Sequence, residues 1–367
     1  MKSLYYQIAL TLIPGVGSVI AKQLISYCGS LEAIFNTPKG KLEKIPGVGP
    51  KKAASIVNSK ASMELIEKEI AFIQKENIKP VFFLDKEYPY RLKECDDGPV
   101  LLFQKGNFSL NTNKSIAIIG TRKSTERGKI WCEKFIEEIS VYKPTIYSGL
   151  AYGIDACAHA AAVKNSVPTI GVLGHGLDRI YPYQNKGIAK SMITSNESGL
   201  LTEFLSGTNA DRENFPKRNR IVAGLVDAVI VVESGEKGGA LITADIASSY
   251  NREIFSVPGR VDDPYSKGCN FLIKSQKAQL IENAEEFAFF MGWEKLKKDS
   301  AQQQKLLLDL TVDEQLIIDF LRKQKQANIE EIRLETKISS GKVAATLLNL
   351  EFAGAVKSLP GNIFRII

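Results

Sequence analysis

"NFPKRNRIVAGLVDAVIVVES", Asn214–Ser234, decides the fold. Its first seven residues hold an aromatic, Phe215, and three cations, Lys217, Arg218 and Arg220. The chain then turns apolar through Val232. The opening reads as a helix, and "DAVIVVES" reads as a strand buried on both faces. The same apolar texture recurs on either side. "SIAIIG" (Ser115–Gly120), "TIYSG" (Thr145–Gly149), "PTIGVLG" (Pro168–Gly174) and "GLLTEF" (Gly199–Phe204) precede it, and "EIFSVPG" (Glu253–Gly259) and "AQLIEN" (Ala278–Asn283) follow. Helical patterns such as "RGKIWCEKFIEEIS" (Arg127–Ser140) and "IDACAHAAAVKN" (Ile154–Asn165) fall between them. This alternation predicts an α/β fold with a Rossmann-like, doubly wound, mostly parallel sheet. Cations at the head of a buried helix are costly unless something negative sits opposite.

The flanks differ in texture. "IPGVGSVIAKQLI" (Ile13–Ile25) and "IPGVGPKKAASIV" (Ile45–Val57) form an internal repeat, each a Gly-rich hairpin opening an amphipathic helix. Residues 1–65 therefore read as an all-helical, helix-hairpin-helix or SAM-like domain. Residues 66–112 read as a connector and lead-in, 113–292 as the Rossmann-like domain, and 293–310, around "EKLKKDSAQQQK", as a polar linker. Residues 311–367 read as three helices and a two-stranded hairpin turning at Pro360-Gly361-Asn362, a winged-helix pattern with Ser339 or Ser340 as a helix cap.

Composition narrows the function. The 367 residues are 44% hydrophobic and 24% charged, ordinary for a soluble globular protein, and no apolar run is long enough to span a bilayer. The start lacks a cleavage signal, and five scattered cysteines without a CxxC pair suit reduced thiols, so a cytoplasmic protein is expected. Two histidines argue against a His-rich metal centre, and neither a metal nor a cofactor is expected. The net charge of +7 is compatible with a nucleic-acid partner.

Several loops converge on the carboxyl ends of the strands, where open α/β sheets bind ligands. Gly120-Thr121-Arg122, followed by Lys123, offers backbone donors, a hydroxyl and a guanidinium suited to phosphate. It carries neither a Walker Lys-Ser pattern nor GxGxxG, so a phosphate is held there rather than transferred. Gly149 and Gly153 bracket a tight approach to the next helix. Asp155 and His159 share a face of that helix. No nucleophile motif accompanies them, so a cap and a packed histidine are expected. Gly174 and Gly176 belong to a partial GxGxxG with Arg179 at its last position, a third loop for the same edge. In "NFPKRNR", Phe215 either stacks a base or anchors the helix, Asn219 reaches a base edge or fixes the loop, and one of Arg218 and Arg220 is structural. In the repeats, Gly15, Gly17, Gly47, Gly49, Lys51 and Lys52 either hold a nucleic-acid backbone or serve as packing turns.

The ordered motifs GTR, "SGLAYGIDACAHAAA", "VLGHGLDRIYP", "FPKRNRIVAGL", "VVES…GGALITADIA" and "VPGRVDDPYSKGCNFLI" resemble the DprA/Smf DNA-processing family over roughly residues 80–285. The resemblance implies a non-enzymatic protein that binds and protects incoming single-stranded DNA in natural transformation. It also implies help in loading a RecA-type recombinase, and homodimerisation through the later half of the sheet domain. It carries Gly120, Thr121 and Arg122 over as a phosphate pocket, and Phe215, Lys217, Arg218, Asn219 and Arg220 as its second wall. Where the family commonly has Ser-Gly-Ser, this chain has Gly238-Gly239-Ala240, with Gly239 expected at the site. Two other readings compete. A nucleotide-phosphate hydrolase on the same kind of sheet would need a PGGxGTxxE loop, which "GGALITAD" lacks. A winged-helix regulator would need a basic third helix, and "SSGKVAATLLNLEF" has only Lys342. A protein-contact or accessory DNA role is expected for that domain.

Overall fold

The computed structural model describes residues 2–59, 63–294, 310–324, 326–352, 355–359 and 363–366. It divides into two compact units, Met1–Lys295 and Leu296–Ile367.

The first unit opens with helices α1 (Lys2–Thr11), α2 (Ser18–Cys28), α3 (Leu31–Asn36), α4 (Lys39–Leu42), α5 (Pro50–Asn58) and α6 (Met63–Lys75). The chain then enters a nine-stranded sheet. Its strands are β1 (Lys79–Phe82), β2 (Leu101–Gly106), β3 (Ser115–Ile119), β4 (Thr145–Ser148), β5 (Thr169–Val172), β6 (Gly199–Thr202), β7 (Ala228–Val231), β8 (Glu253–Ser256) and β9 (Gln279–Leu280). The spatial order is β1-β2-β6-β5-β4-β3-β7-β8-β9. All pairings from β6 through β9 are parallel, while β1–β2 and β2–β6 are antiparallel. The chain steps outward from β3 through β4 and β5 to β6, then returns to place β7 against the other side of β3. That reversal creates a crevice at the carboxyl ends of β3 and β7.

Each strand expected from sequence is present. Alternate residues feed two cores, as a period of two requires. Ile116 and Ile118 of β3 join Ala228 and Ile230 of β7 on one face, while Ala117 and Ile119 join Val229 and Val231 on the other. Helices α7 (Tyr90–Lys93), α8 (Glu126–Ile139), α9 (Ile154–Lys164), α10 (Lys186–Thr194), α11 (Asn214–Gly224), α12 (Gly239–Ser249), α13 (Lys267–Lys274) and α14 (Ala284–Phe290) complete this unit.

Residues 66–112 are more than a connector. They contain β1 and β2, so the sheet begins at Lys79 rather than at 113. Arg91 explains the "YPYRL" stretch. It is 3% exposed, pairs through Nε with Asp227 at 2.7 Å and donates from Nη1 to Thr112 O, tying the lead-in to the start of β7. The N-terminal helices share a hydrophobic core with one edge of the sheet. Ile8, Leu24, Ile34 and Ile56 lie in one cluster with Phe82, Leu101, Phe103 and Leu200.

The second unit contains α15 (Val312–Gln324), β10 (Gln326–Asn328), α16 (Ile329–Thr336), α17 (Ser340–Phe352), β11 (Val356–Leu359) and β12 (Ile363–Ile366), with sheet order β10-β12-β11. The expected three helices and hairpin are there, plus the short β10. α17 begins at Ser340, and Ser339 O accepts from Val343 N at 2.9 Å. The expected turn at 360–362 and most of the expected linker, 295–309, lie outside the described residues.

Candidate nucleic-acid interface

A cavity of about 670 Å³ opens in the crevice between β3 and β7. Gly120, Thr121 and Arg122 line it after β3, Gly149 and Ala151 after β4, and Ser234 after β7. The far wall is the start of α11, with Phe215, Arg218 and Asn219, and the start of α12, with Gly239 and Thr243. The segments singled out in the sequence therefore meet at one place, although about a hundred residues separate them in the chain.

The loop after β3 is braced from below. Thr121 N donates to Glu233 O at 2.8 Å, and the Thr121 hydroxyl accepts from Lys123 N at 3.2 Å. Thr125 caps α8 by accepting from Gly128 N, and both its amide and its hydroxyl donate to the Glu233 carboxylate. The Thr121 amide is thus already used, and the Arg122 guanidinium is the loop's charged group on the cavity. It lies 4.7 Å from the centroid of the Phe215 ring, a cation–π contact that orients the fork over the cavity. Tyr181 stacks on Phe215 at 6.2 Å between centroids. Phe215 is therefore half-buried in the wall of the site rather than a core anchor.

Arg218 lies beneath the cavity, 5% exposed. Its Nη1 donates to Val172 O at 2.9 Å, while its Nε has no hydrogen-bond partner among the described residues. Burial pulls its guanidinium below the ordinary value, and Asp155 opposes that pull. A guanidinium stays charged regardless. Asp155 is held above the usual carboxylate range by burial, against Arg218 and the Gly149 amide, which donates to it at 3.2 Å. The charged residues lining the cavity are thus three arginines, Arg122, Arg212 and Arg218, against one carboxylate, Asp155. Gly149 makes the arrangement fit: a Cβ there would lie 1.6 Å from Arg218 Nη1. Gly153 has φ +79°, and its Cβ would meet Thr121 O at 2.2 Å, so the two loops touch only because it is glycine.

Of the other expected residues, Asp155 also lines the cavity, and the rest do not. Arg220 pairs with Glu203 and donates to Asp97 O, which makes it the structural member of the Arg218/Arg220 pair. Lys217 and Lys123 are exposed beside the cavity, and Lys217 Nζ bonds Asn214 Oδ1 at 3.3 Å. Gly174 lines the adjoining recess under Tyr181, whereas Gly176 packs against Leu205 O. Asp155 and His159 do not bond to each other. His159 Nδ1 meets Thr169 Oγ1 at 2.8 Å, a packed histidine as expected. Tyr181 and Arg212 line the cavity without having been singled out; the aromatic beside proline in "LDRIYP" was the available signal for Tyr181.

The two hairpins of the repeat face each other. A Cβ at Gly47 would meet Ile20 and Gln23 of α2, and one at Gly15 would approach Lys52 of α5. Gly17 and Gly49 cap α2 and α5 and are exposed, as is Lys51. Lys52 folds back onto Gly47 O at 2.9 Å. Lys22 turns inward, donating to Cys95 O and Asp96 O, and thereby docks the helices on the sheet unit. In the second unit Lys342, the one cation of α17, pairs with Asp313, and the exposed surface of α17 carries Leu348 and Phe352.

A phosphate-suited crevice in a parallel sheet, joined to a hairpin repeat and a winged-helix unit, defines a nucleic-acid-handling class of protein. The comparisons are more specific. Residues 79–292 match the family described as DNA recombination-mediator protein A, 8–59 a SAM-like helix-hairpin-helix tandem, and 301–362 the DprA winged helix domain. The chain belongs to the DprA/Smf family. It is 32% identical to protein Smf of Synechocystis over 97% of both chains. DNA processing protein A of Streptococcus pneumoniae superposes with a TM-score of 0.65 at 32% identity, covering 79% of this chain and 98% of that one. A Helicobacter pylori relative, whose structure addresses its single-stranded DNA binding mode, superposes with a TM-score of 0.53 at 28% identity, covering 59% of this chain and 97% of that one. Among the described residues no helix is long and apolar enough to cross a membrane.

Proposed function

We propose that this chain binds single-stranded DNA without reading its sequence, and does so through the crevice between β3 and β7. The observation that carries this is the Arg122–Phe215 pair set over buried Arg218. A fork for phosphate and an aromatic for bases are the two parts that sequence-independent strand binding uses. The Helicobacter pylori relative supports the choice of ligand. In this reading the protein protects incoming DNA in the cytoplasm during transformation, delivers it to a RecA-type recombinase, and works as a homodimer without catalysing a reaction. The exposed caps Gly17 and Gly49 with Lys51 form an accessory backbone contact.

The test is an anisotropy titration with single- and double-stranded oligonucleotides of equal length at two salt concentrations. Single strands bind more tightly, and affinity falls with salt. Arg122→Ala weakens single-strand binding about ten-fold and lowers the salt slope by about 0.7, the loss of one phosphate contact. Equal affinity for both forms, or an unchanged Arg122→Ala, contradicts the assignment. Robust turnover of nucleoside monophosphates would favour the hydrolase instead.

A further inference from the structure

We propose that a strand held in the crevice leaves it across an aromatic track on the loop 181–185, so that bases beyond the phosphate pocket stack on Tyr181 and Tyr183. This rests on the crevice being the single-strand site. Tyr181 is 46% exposed and stacks on Phe215 in the wall of the crevice. Tyr183 is 72% exposed, and its neighbour Lys186 holds Nζ 5.5 Å from the ring centroid. Tyr152, 40% exposed, donates its hydroxyl to Gln184 Oε1 at 2.6 Å and flanks the same loop.

Single exposed aromatics are common and signify little. This loop differs because it is fixed. Buried Asn185 donates from Nδ2 to Leu150 O at 2.8 Å and Ala151 O at 3.2 Å. Tyr181 N donates to His175 Nε2 at 3.2 Å. The backbone that carries the rings is therefore tied to the loop that lines the crevice. Rigid aromatic faces beside a cation suit successive bases of any identity, with Lys186 placed for the phosphate between them. The track begins on a crevice with three arginines and one carboxylate in its lining, and that continuity favours a nucleic-acid strand over a protein segment.

The experiment uses the full chain and oligothymidylates of about five and about fifteen nucleotides. Tyr183→Ala weakens the longer oligomer about five-fold or more, one stacked base, and leaves the shorter one unchanged. Tyr183→Phe retains affinity for both. Arg122→Ala weakens both lengths. Unchanged binding of the longer oligomer by Tyr183→Ala, with the Arg122 effect intact, overturns the track and leaves the pocket standing. Loss of the Arg122 effect together with length-independent binding overturns the pocket reading itself. Tyr183 is mostly in solvent, so its loss does not threaten folding, and unchanged affinity for the short oligomer checks this directly.

Discussion

Gly149 and Arg218 form one unit. The guanidinium occupies the space that a side chain at 149 would fill. Gly149→Ala is therefore expected to expel it from Val172 O and from the cavity floor. The cost in stability is about 1–3 kcal/mol, and single-strand affinity falls with it. Urea unfolding and an oligonucleotide titration on the same variant check this, and a variant that loses stability but keeps full affinity would remove Arg218 from the binding floor. Residue roles were only partly legible in the sequence. "KRNR" announces cations but not their directions. Arg218 and Arg220 diverge because residues two apart lie on different sides of a helix, one beneath the cavity and one toward Glu203 and Asp97. Phe215 proved to be part of the wall because Arg122 and Tyr181 both meet its ring, contacts from distant parts of the chain that no local pattern contains.

At the scale of elements, α9 is fastened to β4 and β5 through His159. Thr169 gives its hydroxyl proton to Ile146 O at 3.0 Å, so His159 Nδ1 donates to Thr169 Oγ1. Burial holds its pKa at about 3, against 6.5 for a free histidine. Between these values the unfolded chain binds a proton that the folded chain refuses. Stability is thus complete above pH 6.5 and declines as pH falls toward 3, by at most about 1.4 kcal/mol per unit from this group. His175, also depressed by burial, acts in the same direction. Denaturation curves across that range should be flatter for His159→Gln than for the parent. The central strands were legible because they are apolar on both faces. β1 and β2 were not legible as strands because "KPVF" carries Pro80 and the apolar start of "LLFQKG" gives way to polar residues and Gly106. Pro80 is tolerated because β1 is an edge strand. The order of helices and paired strands in the second unit rests on local pattern and was therefore readable.

Across the whole first unit, the helical repeat reads in sequence as a separate domain, yet its apolar face is shared with the sheet. Glu69 of α6 makes a polar tie as well. Both its carboxylate oxygens accept from Ser206 N at 3.1 Å, and it also accepts from the Ser206 hydroxyl. Glu69→Ala leaves those donors without a partner and is expected to cost about 1–3 kcal/mol, with Glu69→Gln costing less. The urea midpoints of the two variants give the comparison. Lys22 on the carbonyls of Cys95 and Asp96 acts alongside it. Such ties were invisible in advance because a lone glutamate or lysine on a helix is ordinarily solvated.

The shared core also limits how this protein can be shortened. Removing residues 1–78 would take away the apolar side chains that share a core with Phe82, Leu101 and Phe103. A shorter version that stays in solution must therefore recode those positions with polar side chains, or borrow a cover from elsewhere. The repeat is a roof built to the measure of this particular sheet, and transplanting it onto another would require exchanging both surfaces together.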